Sequence, residues 1–274
     1  MNTKDQLVSV CIPTFNSESY LVETLQSVLN QTHRRIEVLI SDGGSTDSTL
    51  TLISQIADNR ITVLTSQARL LPWENWTKAL RMATGDYTML LCHDDLLRPN
   101  AISYLLGLHL QFEDAVATAG SRSLINESGS PLKFQRHQKN SVRIWDSKKL
   151  ISAIHRSGTN PIGEGLCVLW KTELGPHEFS SRWRYYIDLV YWIQLAKTGP
   201  IYQTDVIVGS FRVTRSSWTS QIGMKVSIEI VRFFKYLYET ENLKKLQFLR
   251  GATLGVVQGI ARPVLQRIVN LERK

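Results

Sequence analysis

Acidic side chains at three places in the sequence are of the types that metal binding and proton transfer require. Asp42 and the Asp94-Asp95 pair each follow an apolar run, and Asp188 stands alone in an apolar segment. Two adjacent carboxylates raise each other's pKa unless a cation neutralises them. Mg²⁺ and Mn²⁺ prefer oxygen ligands and commonly bind one or two carboxylates together with substrate phosphates. The pair at 94–95 is therefore a candidate metal site, although solvated residues that cap the next helix would give the same pattern.

Two further segments have the composition of anion-binding loops. Asp42 opens a turn whose Gly43 and Gly44 would let the backbone approach a ligand closely, and helix N-termini favour anions. An ordinary strand-to-helix turn has the same composition. Arg212 and Arg215 follow the last apolar run, and a guanidinium group matches a phosphate through two hydrogen bonds. A solvated basic loop is the competing interpretation of that segment.

The elements that must position these residues follow from hydrophobic periodicity. The first 120 residues alternate between short apolar runs and segments of helical period, a β-α-β rhythm. Strands are predicted at 7–12, 36–40, 61–64, 87–92 and 115–119. The intervening helices are predicted to begin at Ser17, at Ser45 or Thr46, at Trp73 and at Pro99. This alternation predicts an α/β protein with a mostly parallel sheet and helices on both faces. Ligands bind beyond the carboxyl ends of such strands, so Asp42 and Asp94 are expected at one edge.

The second half of the chain has a less regular pattern. It predicts a strand at 165–170, a helix at 185–197, strands at 201–205 and 208–213, and a helical tail from about residue 220. Asp188 falls near the start of the 185–197 helix, where a helix-capping aspartate would also be expected. On the residues alone, the capping role and a catalytic role both remain open.

Taken in order, three segments resemble the family-2 glycosyltransferases with the GT-A fold. They are Pro13-Thr14-Phe15-Asn16, the segment 41–47 that contains Asp42, and His93-Asp94-Asp95. The resemblance covers roughly residues 5–215. It implies an inverting glycosyltransferase that moves a sugar from a UDP- or dTDP-sugar to a hydroxyl of a glycan or lipid-linked acceptor, in bacterial surface polysaccharide synthesis.

The resemblance also implies roles for individual residues on the donor side. Pro13, Thr14 and Asn16 would line the nucleotide pocket, and Asp42 would hydrogen-bond the base. Asn75, in a segment similar to the start of the family's third helix, would touch the base or position the loop.

A second group of roles concerns the metal and the chemistry. Asp94 matches the metal-binding aspartate of the family's Asp-X-Asp motif, with Asp95 beside it, and the implied cofactor is Mg²⁺ or Mn²⁺. Cys92 stands where the motif has its first aspartate, which is a departure from the family. Asp188 matches the catalytic base, and Arg212 or Arg215 would contact the diphosphate.

Charge and cysteine content limit the other possibilities. The chain of 274 residues has a net charge of +8, and residues 221–274 hold ten Lys and Arg against four Glu. A nucleic-acid partner is not indicated because the remaining charge is near balance. Three isolated cysteines in apolar runs, a polar start and no long apolar run predict a cytoplasmic protein, at most at the inner face of the membrane.

The expected organisation is a catalytic domain at 1–218, with a nucleotide-binding half at 1–120 and an acceptor-binding half at 121–218. A basic amphipathic tail at 219–274 would follow. Met224, Ile228, Val231 and Phe234 are predicted to form one apolar face of that tail, which would contact a membrane or pack on the catalytic domain.

Two other functions compete with the transferase. A sugar nucleotidyltransferase would share the α/β layout, but it would normally carry a Gly-rich, basic first loop, which the segment 13–16 lacks. A non-catalytic protein that binds nucleotide sugars or carbohydrates is favoured if Cys92 marks the decay of a metal site.

Overall fold

The computed structural model describes residues 5–132, 141–176, 178–214, 225–241 and 246–257. Nine strands form one sheet. They are β1 (Val8–Thr14), β2 (Ile36–Asp42), β3 (Ile61–Leu64), β4 (Tyr87–Leu90), β5 (Leu96–Leu97), β6 (Ala117–Ile125), β7 (Val142–Trp145), β8 (Val168–Lys171) and β9 (Ile201–Arg212). The helices are α1 (Leu21–Leu29), α2 (Thr49–Ser54), α3 (Pro72–Leu80), α4 (Ala101–Gln111), α5 (Ser147–Ser157), α6 (Ile187–Thr198) and α7 (Lys225–Thr240). A further helix covers 246–257.

The order of the strands creates a crevice at the edge of the sheet. The order is β3-β2-β1-β4-β8-β6-β9-β5, and β7 pairs with β9. β1 pairs in parallel with both β2 and β4, so the chain builds β2 and β3 on one side of β1 and then returns to the other side. Ligands of α/β sheets bind where the order reverses in this way. The second half adds a parallel β6–β9 pair and antiparallel pairings. The predicted α/β class, with helices on both faces of the sheet, is confirmed.

β1 forms the centre of the nucleotide-side half. All seven of its residues are buried, and the side chains of Val8, Val10 and Ile12 have no exposure to solvent. A parallel strand covered by helices on both faces is expected to be apolar on both faces, which explains its nearly continuous apolar sequence. Its carboxyl end is therefore held rigidly in the sheet.

Three predicted helix starts were wrong, and at two of them a serine makes hydrogen bonds within the loop instead. α1 begins at Leu21, and Ser17 Oγ instead accepts a hydrogen bond from the Phe15 backbone N–H at 3.1 Å. α2 begins at Thr49, since Ser45 is bound to Asp42, and α4 begins at Ala101 rather than at Pro99.

Two predicted strand boundaries also differ. The strand predicted at 165–170 begins at Val168, after a 3₁₀ turn at Gly165–Cys167. The strands predicted at 201–205 and 208–213 are one continuous strand, β9.

α7 packs on the rest of the chain through one of its faces. The buried residues on that face are Val226, Ile230, Phe233, Phe234 and Leu237. The predicted apolar face was therefore wrong for Phe234, which lies in the core, whereas Ile228 and Val231 are 58% and 42% exposed. Met224 lies outside the described residues. Glu229 accepts hydrogen bonds from the backbone N–H groups of residues 184 and 185, at 2.7 and 2.6 Å, just before α6.

Candidate active site

The Asp42 carboxylate organises the turn after β2. Asp42 is fully buried, and its Oδ2 accepts hydrogen bonds from the backbone N–H groups of Gly44 and Ser45 at 3.1 and 3.0 Å. Its Oδ1 accepts hydrogen bonds from the hydroxyls of Ser45 and Thr14. Gly44 has a φ of +86°, and a Cβ there would lie 2.8 Å from the Ala68 carbonyl oxygen, so the turn requires glycine. Asp42 therefore shapes the loop, and its contact with a base stays a prediction.

The other residues predicted to line the nucleotide pocket surround this turn. Pro13 and Thr14 end β1, in register with the last two residues of β2. Asn16 is exposed and adopts a left-handed conformation with a φ of 48°. Its side-chain Oδ1 accepts a hydrogen bond from the backbone N–H of Thr46 at 2.8 Å. The fold therefore brings Pro13, Thr14 and Asn16 beside Asp42 at the carboxyl edge of the sheet.

Asn75 lies beneath this loop and joins the two strands. Its Nδ2 donates to the Thr14 carbonyl at 2.9 Å, and its Oδ1 accepts from the Ser41 hydroxyl at 2.7 Å. The residue is 5% exposed, and a Cβ at Gly43 would lie 3.0 Å from its Nδ2. Of the two roles that the sequence left open for Asn75, these contacts favour positioning of the loop.

The Asp94-Asp95 pair lies in the turn between β4 and β5. Asp95 is 1% exposed, and its Oδ1 accepts a hydrogen bond from the backbone N–H of Arg212 at 3.0 Å. Its Oδ2 is buried and has no hydrogen-bond partner among the residues that the structure describes. Burial, and then the neighbouring Asp94 carboxylate, raise the pKa of Asp95 well above its usual value. A buried carboxyl oxygen without a partner is costly, and a cation or a proton would relieve that cost.

Arg212 supports the turn from below. Its side chain is 1% exposed, and its Nε donates to the Asp94 carbonyl at 2.9 Å. Its Nη1 donates to the carbonyls of Asn126 and Glu127 at 3.3 and 3.1 Å, and its Nη2 contacts Glu23 Oε2 at 2.6 Å. The guanidinium group is thus committed to protein acceptors. The expected diphosphate contact of Arg212 does not fit this burial, and the contacts assign it to supporting the 94–95 turn. Arg215 lies outside the described residues.

Asp188 lies in the first turn of α6 and is half-buried. Its Oδ2 accepts a hydrogen bond from Asn160 Nδ2 at 3.0 Å, and its Oδ1 accepts one from the Leu189 backbone N–H at 2.7 Å. Tyr186, and not Asp188, occupies the N-cap position of α6. Asp188 is the second residue of the helix, so it does not occupy the N-cap position that the sequence left open for it.

The Cys92 thiol lies within electrostatic range of several acidic groups. Burial raises its pKa well above the usual value, followed by the charges of Asp95, Asp94, Asp188 and then Glu164. The charges of the 94–95 turn and of α6 therefore act on the same thiol and keep it neutral. Asp42 is not in this cluster, because β1 separates β2 from β4, and two strand spacings amount to roughly 10 Å.

An ion pair within electrostatic range of Asp95 and Asp188 was not predicted. Arg122 Nε contacts Glu164 Oε2, and both side chains are mostly buried. Although burial opposes it, the Glu164 carboxylate raises the pKa of Arg122, with smaller contributions from Cys167, Asp95 and Asp188. Glu164 lies before a strand in a loop of ordinary composition, so only the fold reveals its partner. A cavity of about 810 Å³ between α3 and the 176–181 loop contains none of the predicted site residues.

The 94–95 pair can be tested for its fit to a divalent cation. Within the described ranges, no group of three or more His, Cys, Asp or Glu side chains is arranged as a metal cage. Asp94 and Asp95 nevertheless supply adjacent carboxylates, one with an unpartnered oxygen. A cation that takes its other ligands from substrate phosphates and water needs only one or two protein carboxylates. The pair fits that kind of site, and it does not form a cage from protein ligands alone.

Known proteins with similar sequences are glycosyltransferases. The model of the family described as glycosyl transferase family 2 matches residues 9–163. The putative teichuronic acid biosynthesis glycosyltransferase TuaG of Bacillus subtilis is 29% identical over 265 residues, which is 96% of this chain and 98% of TuaG. The Escherichia coli UDP-Glc:alpha-D-GlcNAc-diphosphoundecaprenol beta-1,3-glucosyltransferase WfgD is 28% identical over 218 residues, 79% of this chain and 81% of WfgD. Other relatives are longer, and the chain spans 61% of an uncharacterized Haemophilus influenzae glycosyltransferase and 43% of Streptococcus pneumoniae GlyG.

Solved structures share the fold at low sequence identity. Staphylococcus aureus TarS in complex with UDP-GlcNAc matches with a TM-score of 0.65 and 17% identity, over 95% of this chain and 72% of that chain. Mannosyltransferase PcManGT of Pyrobaculum calidifontis, in complex with GDP-Man and Mn²⁺, matches with a TM-score of 0.58 and 14% identity, over 98% and 76%. These neighbours have the predicted GT-A fold. Because the family model matches more than half of its length, the chain belongs to glycosyl transferase family 2.

Proposed function

We propose that this chain is an inverting glycosyltransferase that moves a sugar from a nucleotide-diphosphate donor to a hydroxyl of a glycan or lipid-linked acceptor. The observation that carries the proposal is the buried Asp95 carboxylate, whose Oδ2 has no hydrogen-bond partner among the described residues, together with a separate carboxylate, Asp188, that two hydrogen bonds hold in place. A metal-side pair and a single separate carboxylate are the groups that such a transfer needs. UDP-sugars are the favoured donors, since WfgD is named for UDP-Glc and TarS was solved with UDP-GlcNAc.

The donor nucleotide would bind at the carboxyl ends of β1 and β2. Thr14, Asn16 and the turn held by Asp42 form this edge of the crevice, and Asn75 keeps the two strand ends together. Loops held by buried hydrogen bonds lose little conformational freedom when a ligand binds. Recognition of the base by Asp42 would require its carboxylate to share its present hydrogen bonds with the ligand.

Asp94 and Asp95 would hold a Mg²⁺ or Mn²⁺ ion against the donor diphosphate. Such a cation, when bound, neutralises charge on the phosphates and on the leaving nucleoside diphosphate. The chain's own contribution is the rigid turn, which Arg212 ties to α1 and to the 126–127 turn. The orphaned Oδ2 of Asp95 is the atom whose burial this arrangement would compensate.

Asp188 would take the proton from the acceptor hydroxyl as that oxygen attacks the anomeric carbon from the face opposite the leaving group. Two of its contacts hold the carboxylate in place, one from Asn160 and one from its own helix. A positioned general base contributes about 10²–10⁴ in rate. Attack from the opposite face inverts the configuration at that carbon.

The second candidate is a non-catalytic protein that binds nucleotide sugars. It is favoured by Cys92, because a neutral thiol stands where the family's aspartate would add a negative charge to the metal site. Asp188 distinguishes the two candidates, because a protein that only binds nucleotide sugars needs no general base.

Two variants test the proposed function. Asp188→Asn is expected to lower metal-dependent turnover of UDP-glucose or UDP-GlcNAc by about 10²–10⁴ while donor affinity stays within about twofold. Asp94→Ala is expected to abolish the response to Mn²⁺. Donor affinity would be measured by calorimetry, and turnover by release of UDP. Loss of donor binding in Asp188→Asn with intact turnover would exclude its role as the base.

The membrane is the proposed location of a lipid-linked acceptor, at the inner face of the cell membrane. The outward face of α7 carries Ile228, Val231 and Tyr238, all exposed, with Arg232 and Lys235 among them. Exposed apolar and basic residues on one helix are the combination that binds an anionic bilayer surface. Within the described part of the chain, no helix is both long and apolar enough to cross a bilayer. The proposed tail at 219–274 would then face the membrane while the catalytic domain at 1–218, with its halves 1–120 and 121–218, faces away.

A further inference from the structure

We propose that Asn160 is a positioning residue that fixes the orientation of the Asp188 carboxylate. The inference rests on the proposed role of Asp188 as the catalytic base. Asn160 lies 28 residues before Asp188 in a loop that follows α5, and its Nδ2 donates to Asp188 Oδ2 at 3.0 Å. Asn160 precedes a proline in a segment of ordinary loop composition, so the sequence alone does not distinguish it.

The hydrogen bonds of Asn160 leave its amide only one orientation. Its Oδ1 accepts from the backbone N–H groups of Ile162 and Gly163, both at 3.1 Å. Its Nδ2 donates to the Gly163 carbonyl at 2.9 Å as well as to Asp188. Both donors and both acceptor positions of the amide are therefore used. Rotating the amide by 180° would set its oxygen against a carboxylate and a carbonyl, and its NH₂ against two N–H groups.

The loop that carries Asn160 is fixed to neighbouring elements. Trp192, one turn after Asp188 in α6, donates from Nε1 to the Gly163 carbonyl at 3.0 Å. Gln203 of β9 donates from Nε2 to the carbonyls of residues 161 and 162 at 3.1 and 2.9 Å. Gly163 has a φ of +107°, a backbone conformation that favours glycine. The amide of Asn160 thus reaches Asp188 from a rigid support.

Two hydrogen bonds fix the orientation of the Asp188 carboxylate. Its Oδ2 is bound by Asn160, and its Oδ1 by its own helix. Its charge also raises the pKa of Cys92 and of Arg122. A carboxylate that rotates freely would spend part of its time pointing away from an acceptor hydroxyl, and small misplacements of catalytic groups are costly in rate. Asn160 removes that freedom.

One substitution separates positioning from folding. Asn160→Asp keeps an oxygen that can accept from Ile162 and Gly163. It loses the bond from Nδ2 to the Gly163 carbonyl, which still accepts from Trp192 Nε1. It removes the donor to Asp188 and places a second negative charge beside it. Like charges raise each other's pKa, so the acidic limb of the pH–rate profile should move to higher pH by about one unit or more. Turnover near pH 7 should fall about tenfold or more, with KM for the donor within about twofold.

The assay is Mn²⁺-dependent hydrolysis of UDP-glucose and UDP-GlcNAc from about pH 5 to 9. Thr159→Ala is the matched control, because Thr159 is exposed in the same loop and its hydroxyl donates to Ser157 rather than to Asp188. An unshifted profile with unchanged kcat in Asn160→Asp, while Asp188→Asn is inactive, would overturn the positioning role alone. A raised KM with unchanged kcat would overturn it as well. Full turnover by Asp188→Asn, or none by the unmodified chain, would instead count against the proposed function.

Discussion

Arg212 is the residue whose replacement tests the architecture of the site most directly. Its guanidinium group is nearly inaccessible to solvent and donates to three backbone carbonyls and to Glu23. Arg212→Met would keep most of the side-chain volume but would leave those acceptors without their donors. A buried acceptor without a partner costs about 1–3 kcal/mol, and three carbonyls would be left in that state. Glu23 adds little to the cost, because its side chain is half exposed.

We expect Arg212→Met to lower the free energy of unfolding by about 3–5 kcal/mol. For a chain of this size that corresponds to a fall in Tm on the order of 10 °C. Glu23→Gln should cost only about 1 kcal/mol, because the Glu23 side chain is 54% exposed and its charge is partly screened by water. Urea unfolding followed by circular dichroism measures both changes.

The matched control is Arg143→Met. The Arg143 side chain is 44% exposed and contacts Asp205 at 3.3 Å, so its loss should cost less than about 1 kcal/mol. Arg212→Met should also weaken Mn²⁺-dependent donor binding, since the 94–95 turn loses its support. Equal destabilisation by the two arginine variants would refute the central role of Arg212. A destabilised Arg212→Met that binds donor and Mn²⁺ normally would refute its link to the metal-side turn.

Three further outcomes are expected. Cys92→Asp should raise the affinity for Mn²⁺ by about tenfold, because it adds a carboxylate beside Asp94 and Asp95. The measurement is the rise in Tm as Mn²⁺ is added, and equal rises in the variant and the unmodified chain would contradict the prediction. Burial lowers the pKa of His109 from 6.5 to about 4, so the unfolded chain binds a proton that the folded chain rejects. Stability should be full above pH 6.5 and fall by up to about 3 kcal/mol as the pH drops towards 4, and His109→Gln should flatten that fall in urea titrations. The double variant Ile228→Glu, Val231→Glu should abolish co-sedimentation with phosphatidylglycerol vesicles. Leu110→Glu, at an exposed apolar residue of α4, should not. Retained binding by the double variant would exclude α7 as the contact.

Hydrophobic periodicity was sufficient to predict the α/β class and the approximate strands, and the resemblance of three motifs to a known family identified the family. The spacing of apolar residues along a strand or helix reflects which face of that element is buried, and this spacing can be read directly from the sequence. The same applies to the placement of Asp42 and Asp94 after strands, because parallel strands end at a common edge. Helix starts were predicted less well, because Ser17 and Ser45 make hydrogen bonds within the loops, including bonds with the distant residues Thr49 and Asn16.

Contacts between distant segments were decided only by the tertiary structure. Arg212 was expected to face a phosphate, but the fold buries it against the 94–95 turn, more than a hundred residues away in sequence. Asn160 shows no signal in its own segment, because its role depends on α6 and β9 arriving on either side of its loop. The outward face of α7 likewise depends on which of its residues pack into the core, and Phe234 is buried there whereas Ile228 is exposed. Hydrophobic periodicity predicts which residues are buried, but only the packing of the folded chain determines what each of them contacts. Hydrogen bonds and burial join residues without regard to their separation along the chain.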